Sequence, residues 1–197
     1  MEKENKIRVF ENLLEEHEVD TLYNFSVSNE ELYKANTAEN HPFWKNRTMH
    51  FFSRMFPMPN EVTELGYKLL DTIKPLIETT IGDGRDVWPD TINYAKWWDG
   101  YEQPPHADGE EPDGSPHPFH WRKFGCVYYL NDDYDGGEIW FPNLDVEMKP
   151  KRNMLAFFPG DVLHLHGVRN VTNGVRHTIA SFWTYDSERK MWAYDRR

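Results

Sequence analysis

An α+β fold, a jelly roll (double-stranded β-helix) packed against N-terminal helices, is predicted by three observations. Residues before about 85 carry apolar positions at helical spacing, residues after about 86 form short runs rich in Val, Ile, Tyr, Phe and Trp, and Gly, Pro, Asn and Asp punctuate those runs. Helices first and short strands afterwards leave the strands to pair among themselves. A jelly roll built this way opens a small-molecule pocket at its mouth.

The first helix is predicted near residues 15–27, where Leu13, Leu14, Val19, Leu22, Tyr23 and Ser26 follow Val9 and Phe10 at roughly helical spacing. The second starts at Asn60 as N-cap. Its stripe of Val62, Leu65, Leu69, Ile73, Leu76 and Ile77 ends at Gly82-Asp83-Gly84, and Pro75 is expected to strain or kink the last turns. Strands are predicted near 88–98, 121–130, 137–142, 144–149, 153–158, 161–168 and 174–185. Gly136-Gly137 after Asp135 reads as a tight hairpin, and Gly160 as a turn. Residues 108–118, between the first two strands, form an acidic loop too rich in Gly and Pro for regular structure. The chain is read as one domain over 1–197, with helical support at 1–85, a jelly-roll catalytic core at 86–186 and a C-terminal tail at 187–197.

Composition removes several classes of function. The 39% hydrophobic and 15% aromatic content excludes a disordered chain. A net charge of −11, from 22 Lys and Arg against 33 Asp and Glu, repels phosphate backbones. Lys149-Pro150-Lys151-Arg152 and Arg196-Arg197 are too short for a basic strip and read as solvated turn and tail, so no nucleic-acid partner is expected. The lone Cys126 cannot form an internal disulfide and reads as a small buried hydrophobe. The stretch Met1-Glu2-Lys3-Glu4-Asn5-Lys6 has no apolar signal core, and no run approaches the length of a membrane span, so a cytoplasmic location without a membrane partner is expected.

The chemistry concentrates in His106-Ala107-Asp108. In an extended segment residues i and i+2 share a face, so His106 and Asp108 can reach one metal from a strand end. A lone His-x-Asp arises easily in a chain with nine histidines, but the run from Asp161 to Val168 adds His164 and His166, which share a face by the same parity. Two imidazoles and one carboxylate can hold a ferrous ion on one face and leave its other positions open. Parity leaves His164 and His166 as alternatives, one a ligand and the other a satisfied supporting histidine. Arg176, ten positions beyond His166, is permanently charged and presents a planar fork suited to a dicarboxylate; its plain alternative is a surface ion pair. His117 and His120 read as solvated loop histidines, and Asp132, Asp133 and Asp135 lack the register of a calcium loop.

The ordered motifs go further. His106-Ala107-Asp108, Val127-Tyr128-Tyr129-Leu130-Asn131, Gly136-Gly137-Glu138-Ile139-Trp140-Phe141-Pro142, Phe157-Phe158-Pro159-Gly160, and His166 through Arg176 stand in the order of prolyl 4-hydroxylase-like oxygenases. From about Tyr94 to Trp183 the chain resembles that branch of the Fe(II)/2-oxoglutarate-dependent dioxygenase superfamily. The resemblance implies His106, Asp108 and His166 as iron ligands, choosing His166 over His164 by its spacing to Arg176. It implies that Arg176 partners the distal carboxylate of 2-oxoglutarate, that Tyr129 touches the same carboxylate, that Tyr94 lines the cosubstrate pocket and that Trp183 lies near its floor. Fe(II), 2-oxoglutarate and dioxygen follow as requirements, with ascorbate as a candidate reductant.

The implied reaction is hydroxylation of a substrate C–H bond with release of succinate and CO2. A prolyl residue of a peptide or protein is the first choice of substrate, and a free amino acid such as proline the second. A non-catalytic jelly roll that holds a metal or an organic acid is the alternative from another class. A nucleic-acid demethylase of the wider superfamily conflicts with the acidic balance. The acidic loop after Asp108 has no counterpart to transfer, and substrate choice is expected to begin there.

Overall fold

The chain runs through β1 (Arg8–Glu11), α1 (Glu16–Ser28), α2 (Glu30–Lys34), β2 (Thr48–His50), α3 (Asn60–Ile81), β3 (Trp88–Trp97), β4 (Gln103–His106), β5 (Phe124–Tyr129), β6 (Asp135–Gly136), β7 (Ile139–Phe141), β8 (Val146–Met148), β9 (Met154–Pro159), β10 (His166–Val168), β11 (Val171–Thr172) and β12 (Arg176–Thr184). This computed structural model describes residues 5–35 and 42–195. Residues 1–4 of the charged N-terminus and the pair Arg196-Arg197 lie outside the described residues.

Among the described residues the strands form a six-stranded sheet in the order β1-β9-β5-β12-β3-β2, a four-stranded sheet β4-β10-β7-β8 and a short pair β11-β6. The pairings within them are antiparallel. Side-chain alternation divides the large sheet. Ile92 and Tyr94 of β3, Phe124, Cys126 and Tyr128 of β5, Leu155 and Phe157 of β9, and Ile179 and Trp183 of β12 turn to one face. There they meet Val19 and Leu22 of α1 and Leu69, Leu70, Ile73 and Ile77 of α3. The helices therefore cover one face of the sheet, and the residues of opposite parity are left for a cavity on the other.

The predicted helices form, with differences at their ends. Pro59 is the N-cap of α3 and Asn60 its first helical residue. The helix continues through Pro75 to Ile81, because Pro75 lies on the exposed face, away from the buried stripe. The left-handed Gly82, at φ 65°, ends it by donating its N–H to the Glu78 carbonyl.

The N-terminal part is not purely helical support. Strand β1 pairs with β9 and β2 pairs with β3, so both edges of the large sheet come from residues before 85. Each is short, and β1 is mostly exposed, so neither carries a clear apolar alternation. The predicted C-terminal tail is also anchored. Ala193 and Tyr194 are buried, the Met191 N–H donates to the Pro89 carbonyl at 2.8 Å, and the Tyr67 hydroxyl donates to the Ala193 carbonyl at 3.1 Å. In the basic turn after β8, Lys151 pairs with Glu11 and Arg152 with Glu16 and Asp20, as a solvated turn would.

Candidate metal and cosubstrate site

A cavity of about 810 Å³ opens between the uncovered face of the large sheet and the four-stranded sheet. His106, Asp108, His166 and Arg176 all line it.

The two histidines meet because β4 and β10 are antiparallel neighbours in which His106 is paired directly with His166, their rings 4.4 Å apart. Asp108 stands two residues past the end of β4. The chain turns inward there, and the next residue, Gly109, donates its N–H to the Gly160 carbonyl at 2.9 Å. Asp108 Oδ1 then lies 3.7 Å from His106 Nε2 and 3.9 Å from His166 Nε2. One ligand atom from each of the three residues falls within 4.8 Å of the others, so the cluster can hold one metal ion.

Local bonds aim the donor atoms. His106 Nδ1 is 3.3 Å from the Pro104 carbonyl, and His166 Nδ1 is 3.2 Å from the His164 carbonyl. A carbonyl only accepts, so each ring carries its hydrogen on Nδ1 and leaves a lone pair on Nε2; that of His166 faces Asp108, and that of His106 accepts from the Gln103 side-chain amide at 3.2 Å. Burial pushes the His166 pKa down to about 4, against the opposing pull of Asp108, and keeps this imidazole in the neutral, ligating form. Asp108 Oδ2 is buried without a hydrogen-bond partner. Gly125 makes that position possible, since a Cβ there would lie 2.5 Å from Oδ2 and 2.6 Å from Phe158 Cε2.

Arg176 is 1% exposed and, among the described residues, has no carboxylate partner. Its Nη2 donates to the Tyr129 hydroxyl at 3.4 Å, its Nε has no partner, and the guanidinium lies 5.0 Å from the Tyr129 ring and 5.2 Å from the Trp97 ring. A buried, unpaired cation is costly, and an incoming carboxylate would satisfy it. The surface ion pair considered for Arg176 is thereby excluded. Tyr134, which carries no motif in the sequence, adds a second buried hydroxyl close enough to the same cation to interact with it. It lies in an irregular Asp-rich turn with no periodicity to mark it.

Other expectations are corrected. Tyr94 does not line the cavity; it is stacked on Phe51 at 5.0 Å within the core beneath the helices. The strand alternation that points Asn93 and Ala95 into the cavity points Tyr94 away. Trp183 likewise belongs to the helical side, with its Nε1 donating to Ser181 Oγ at 3.0 Å, whereas Phe182 lines the cavity. The predicted strand over 161–168 is a one-turn 3-10 helix, Val162–His164, followed by β10 from His166, so His164 and His166 do not share a strand face. Asp161 caps that turn by accepting from the His164 N–H, which breaks the extended run. His117 is a half-withdrawn wall of the cavity, its side chain 13% exposed, and not a solvated loop residue; His120 is exposed.

Comparison with known proteins agrees with this geometry. A family profile described as "2OG-Fe(II) oxygenase superfamily" matches residues 92–185. Prolyl 3-hydroxylase 2 of Mus musculus is 34% identical over 76 residues, covering 36% of this chain and 11% of that protein. The chain thus spans about a tenth of the length of the curated relatives it matches. Among solved structures, the viral collagen prolyl hydroxylase of Paramecium Bursaria Chlorella virus-1 superposes with a TM-score of 0.67 at 19% identity, over 91% of this chain and 95% of that one. A Trichoplax adhaerens prolyl hydroxylase, solved with a hypoxia inducible factor peptide fragment, gives 0.66 at 20% identity over 94% and 86%. Identities this low carry the shared fold alone, and they identify the antiparallel sheets and N-terminal helices with that of these hydroxylases.

Proposed function

The chain belongs to the 2OG-Fe(II) oxygenase superfamily, and from that premise we propose that it is an Fe(II)- and 2-oxoglutarate-dependent dioxygenase that hydroxylates a prolyl residue of a peptide or protein. The observation that carries the reading is Arg176, a buried cation without a carboxylate partner among the described residues, in the cavity that also holds the three-residue metal cluster. A dicarboxylate bound between the cluster and Arg176 would satisfy both.

His106, Asp108 and His166 would hold the iron, and their chemistry suits it: two imidazoles, one carboxylate, and a cavity side left open. Bound iron supplies the activation of dioxygen, coupled to decarboxylation of 2-oxoglutarate to succinate and CO2 and to insertion of oxygen into a C–H bond. Arg176 fixes the far carboxylate by a charge-assisted fork, and the Tyr129 hydroxyl, 3.4 Å from Nη2, stands beside it. Trp97, Phe158 and Val168 line the cavity and exclude water from the cluster.

The prolyl residue is supported by the sequence relatives, which are prolyl 3-hydroxylases, and by the prolyl hydroxylases that share the fold. Ascorbate belongs in the assay of this activity as the reductant that maintains iron as Fe(II).

Anaerobic addition of Fe(II) and 2-oxoglutarate should produce a visible charge-transfer band that air bleaches with release of succinate. Mass spectrometry of proline-containing peptides, with free L-proline in parallel, should then find oxygen added to a peptide. Metal bound without the band or succinate would make the chain a non-catalytic binder. Hydroxylated L-proline with no modified peptide would replace the substrate class.

A further inference from the structure

The loop between β4 and β5 is built, not slack. Glu110 Oε2 accepts the Val162 N–H at 3.0 Å, which ties the loop to the turn ahead of His166. The Gly114 N–H closes a turn on the Glu111 carbonyl at 3.0 Å, and the Arg122 N–H bonds the Phe119 carbonyl at 2.9 Å. His117 Nδ1 accepts the Phe119 N–H at 3.0 Å, so the ring hydrogen sits on Nε2. That Nε2 faces Glu111 Oε1 at 3.8 Å, beyond hydrogen-bond reach.

The charges at this end of the cavity do not cancel. Arg122 lies between the Phe119 and Phe182 rings, 4.1 Å from each, and its Nε donates to Asp90 Oδ2 at 2.6 Å, so its charge is already met. Glu111 lines the same cavity with its side chain 38% exposed, and among the described residues it has no Lys or Arg partner. A carboxylate partly withdrawn from water attracts a cation more strongly than one in bulk solvent, and the overall charge of −11 has the same sign. The rings of Phe119 and Phe182, which flank Arg122, offer apolar surface to the rest of a ligand.

We infer that Glu111 is a specificity-determining residue: it receives a positive charge carried by the substrate peptide close to the residue that is modified. The inference rests on the reading of the protein as a peptide hydroxylase.

The test uses the iron-loaded protein and N-acetylated, C-amidated peptides that contain one proline and differ only in a flanking Lys, norleucine or Glu. Hydroxylation is read by mass as kcat/KM ratios. The wild type should prefer Lys over norleucine by roughly two- to fivefold, the range of a partly exposed charge pair, and the preference should shrink with added salt. Glu111→Gln should erase the preference, and Glu111→Lys should turn it toward the Glu peptide. Comparison within each variant makes the ratio independent of any loss of folded protein. Peptides hydroxylated without charge preference, or with a preference that ignores residue 111, would overturn the inference and leave the peptide reading intact. Succinate release with L-proline as the sole hydroxylated compound would instead overturn the reading itself.

Discussion

His166 donates its Nδ1 hydrogen to the main-chain carbonyl of His164 at 3.2 Å, while the His164 ring has both nitrogens engaged, Nδ1 by Asp161 at 2.7 Å and Nε2 by the Lys6 N–H at 3.4 Å. Two histidines that are interchangeable by sequence parity are thus separated by their bonds. Only His166 keeps a lone pair facing Asp108.

Replacing each in turn should separate the roles. His166→Ala is expected to abolish Co(II) binding, followed by the ligand-field spectrum. His164→Ala should retain Co(II) within about tenfold, since the carbonyl that orients His166 remains, and should lower the melting temperature by a few degrees through loss of a buried, bonded ring. Retained Co(II) affinity in His166→Ala would remove that residue from the ligand set.

Gly125 gives a prediction outside the ligand set. A methyl group there would collide with Asp108 Oδ2 and the Phe158 ring, at 2.5 and 2.6 Å. Gly125→Ala should lower stability by about 1–3 kcal/mol, the range for overpacking a filled site, and should weaken Mn(II) binding by displacing the carboxylate. The measurement is Mn(II) affinity by electron paramagnetic resonance at a temperature where the variant remains folded. Unchanged affinity would mean that the carboxylate has room to move.

The parts of the fold that were legible before the structure had strong periodic signals. Helices α1 and α3 and strands β3, β5, β9 and β12 stand close to their predicted positions, because each carries a stripe or run of apolar residues long enough to read. The short strands β1, β2 and β4 were not legible, since three or four residues without clear alternation carry no period. In the site, His106, Asp108 and His166 converge as the family resemblance implies, whereas residue type and parity alone left His164 and His166 open. Tyr94 failed for a simple physical reason: one step along a strand reverses the face, and family order does not report parity. Tyr134 was missed because its place beside Arg176 depends on the Asp-rich turn, a contact made by tertiary packing.

His177, beside Arg176 but on the opposite face, makes stability depend on pH. Burial first, and then the nearby Lys96 ammonium, push its pKa down to about 4 from the ordinary 6.5, while Asp133 and Glu30 pull weakly the other way. Its Nδ1 bonds Ser26 Oγ at 2.8 Å in this neutral state. Between pH 6.5 and 4 the unfolded chain binds a proton that the folded chain refuses, so the contribution is fully present above pH 6.5 and is lost as pH falls. Urea denaturation of the metal-free protein at pH 7.5 and pH 5 should show the wild type losing about 2 kcal/mol more than His177→Gln. The comparison subtracts His166, whose pKa is also pushed down. Equal losses in both proteins would count against a titrating His177.

The central claim is that Arg176 is buried to receive a carboxylate of 2-oxoglutarate beside the metal cluster. Calorimetric titration of 2-oxoglutarate into the Mn(II)-loaded wild type and into Arg176→Met tests it most directly. The variant should bind 2-oxoglutarate at least about a hundredfold more weakly, as expected for loss of a buried charge partner. Its Mn(II) affinity should be retained and its melting temperature should not fall, because an unpaired buried cation has been replaced by an apolar chain. Pyruvate, which lacks the distal carboxylate, should bind both proteins equally weakly. Equal affinity of the two proteins for 2-oxoglutarate would contradict the assignment of Arg176.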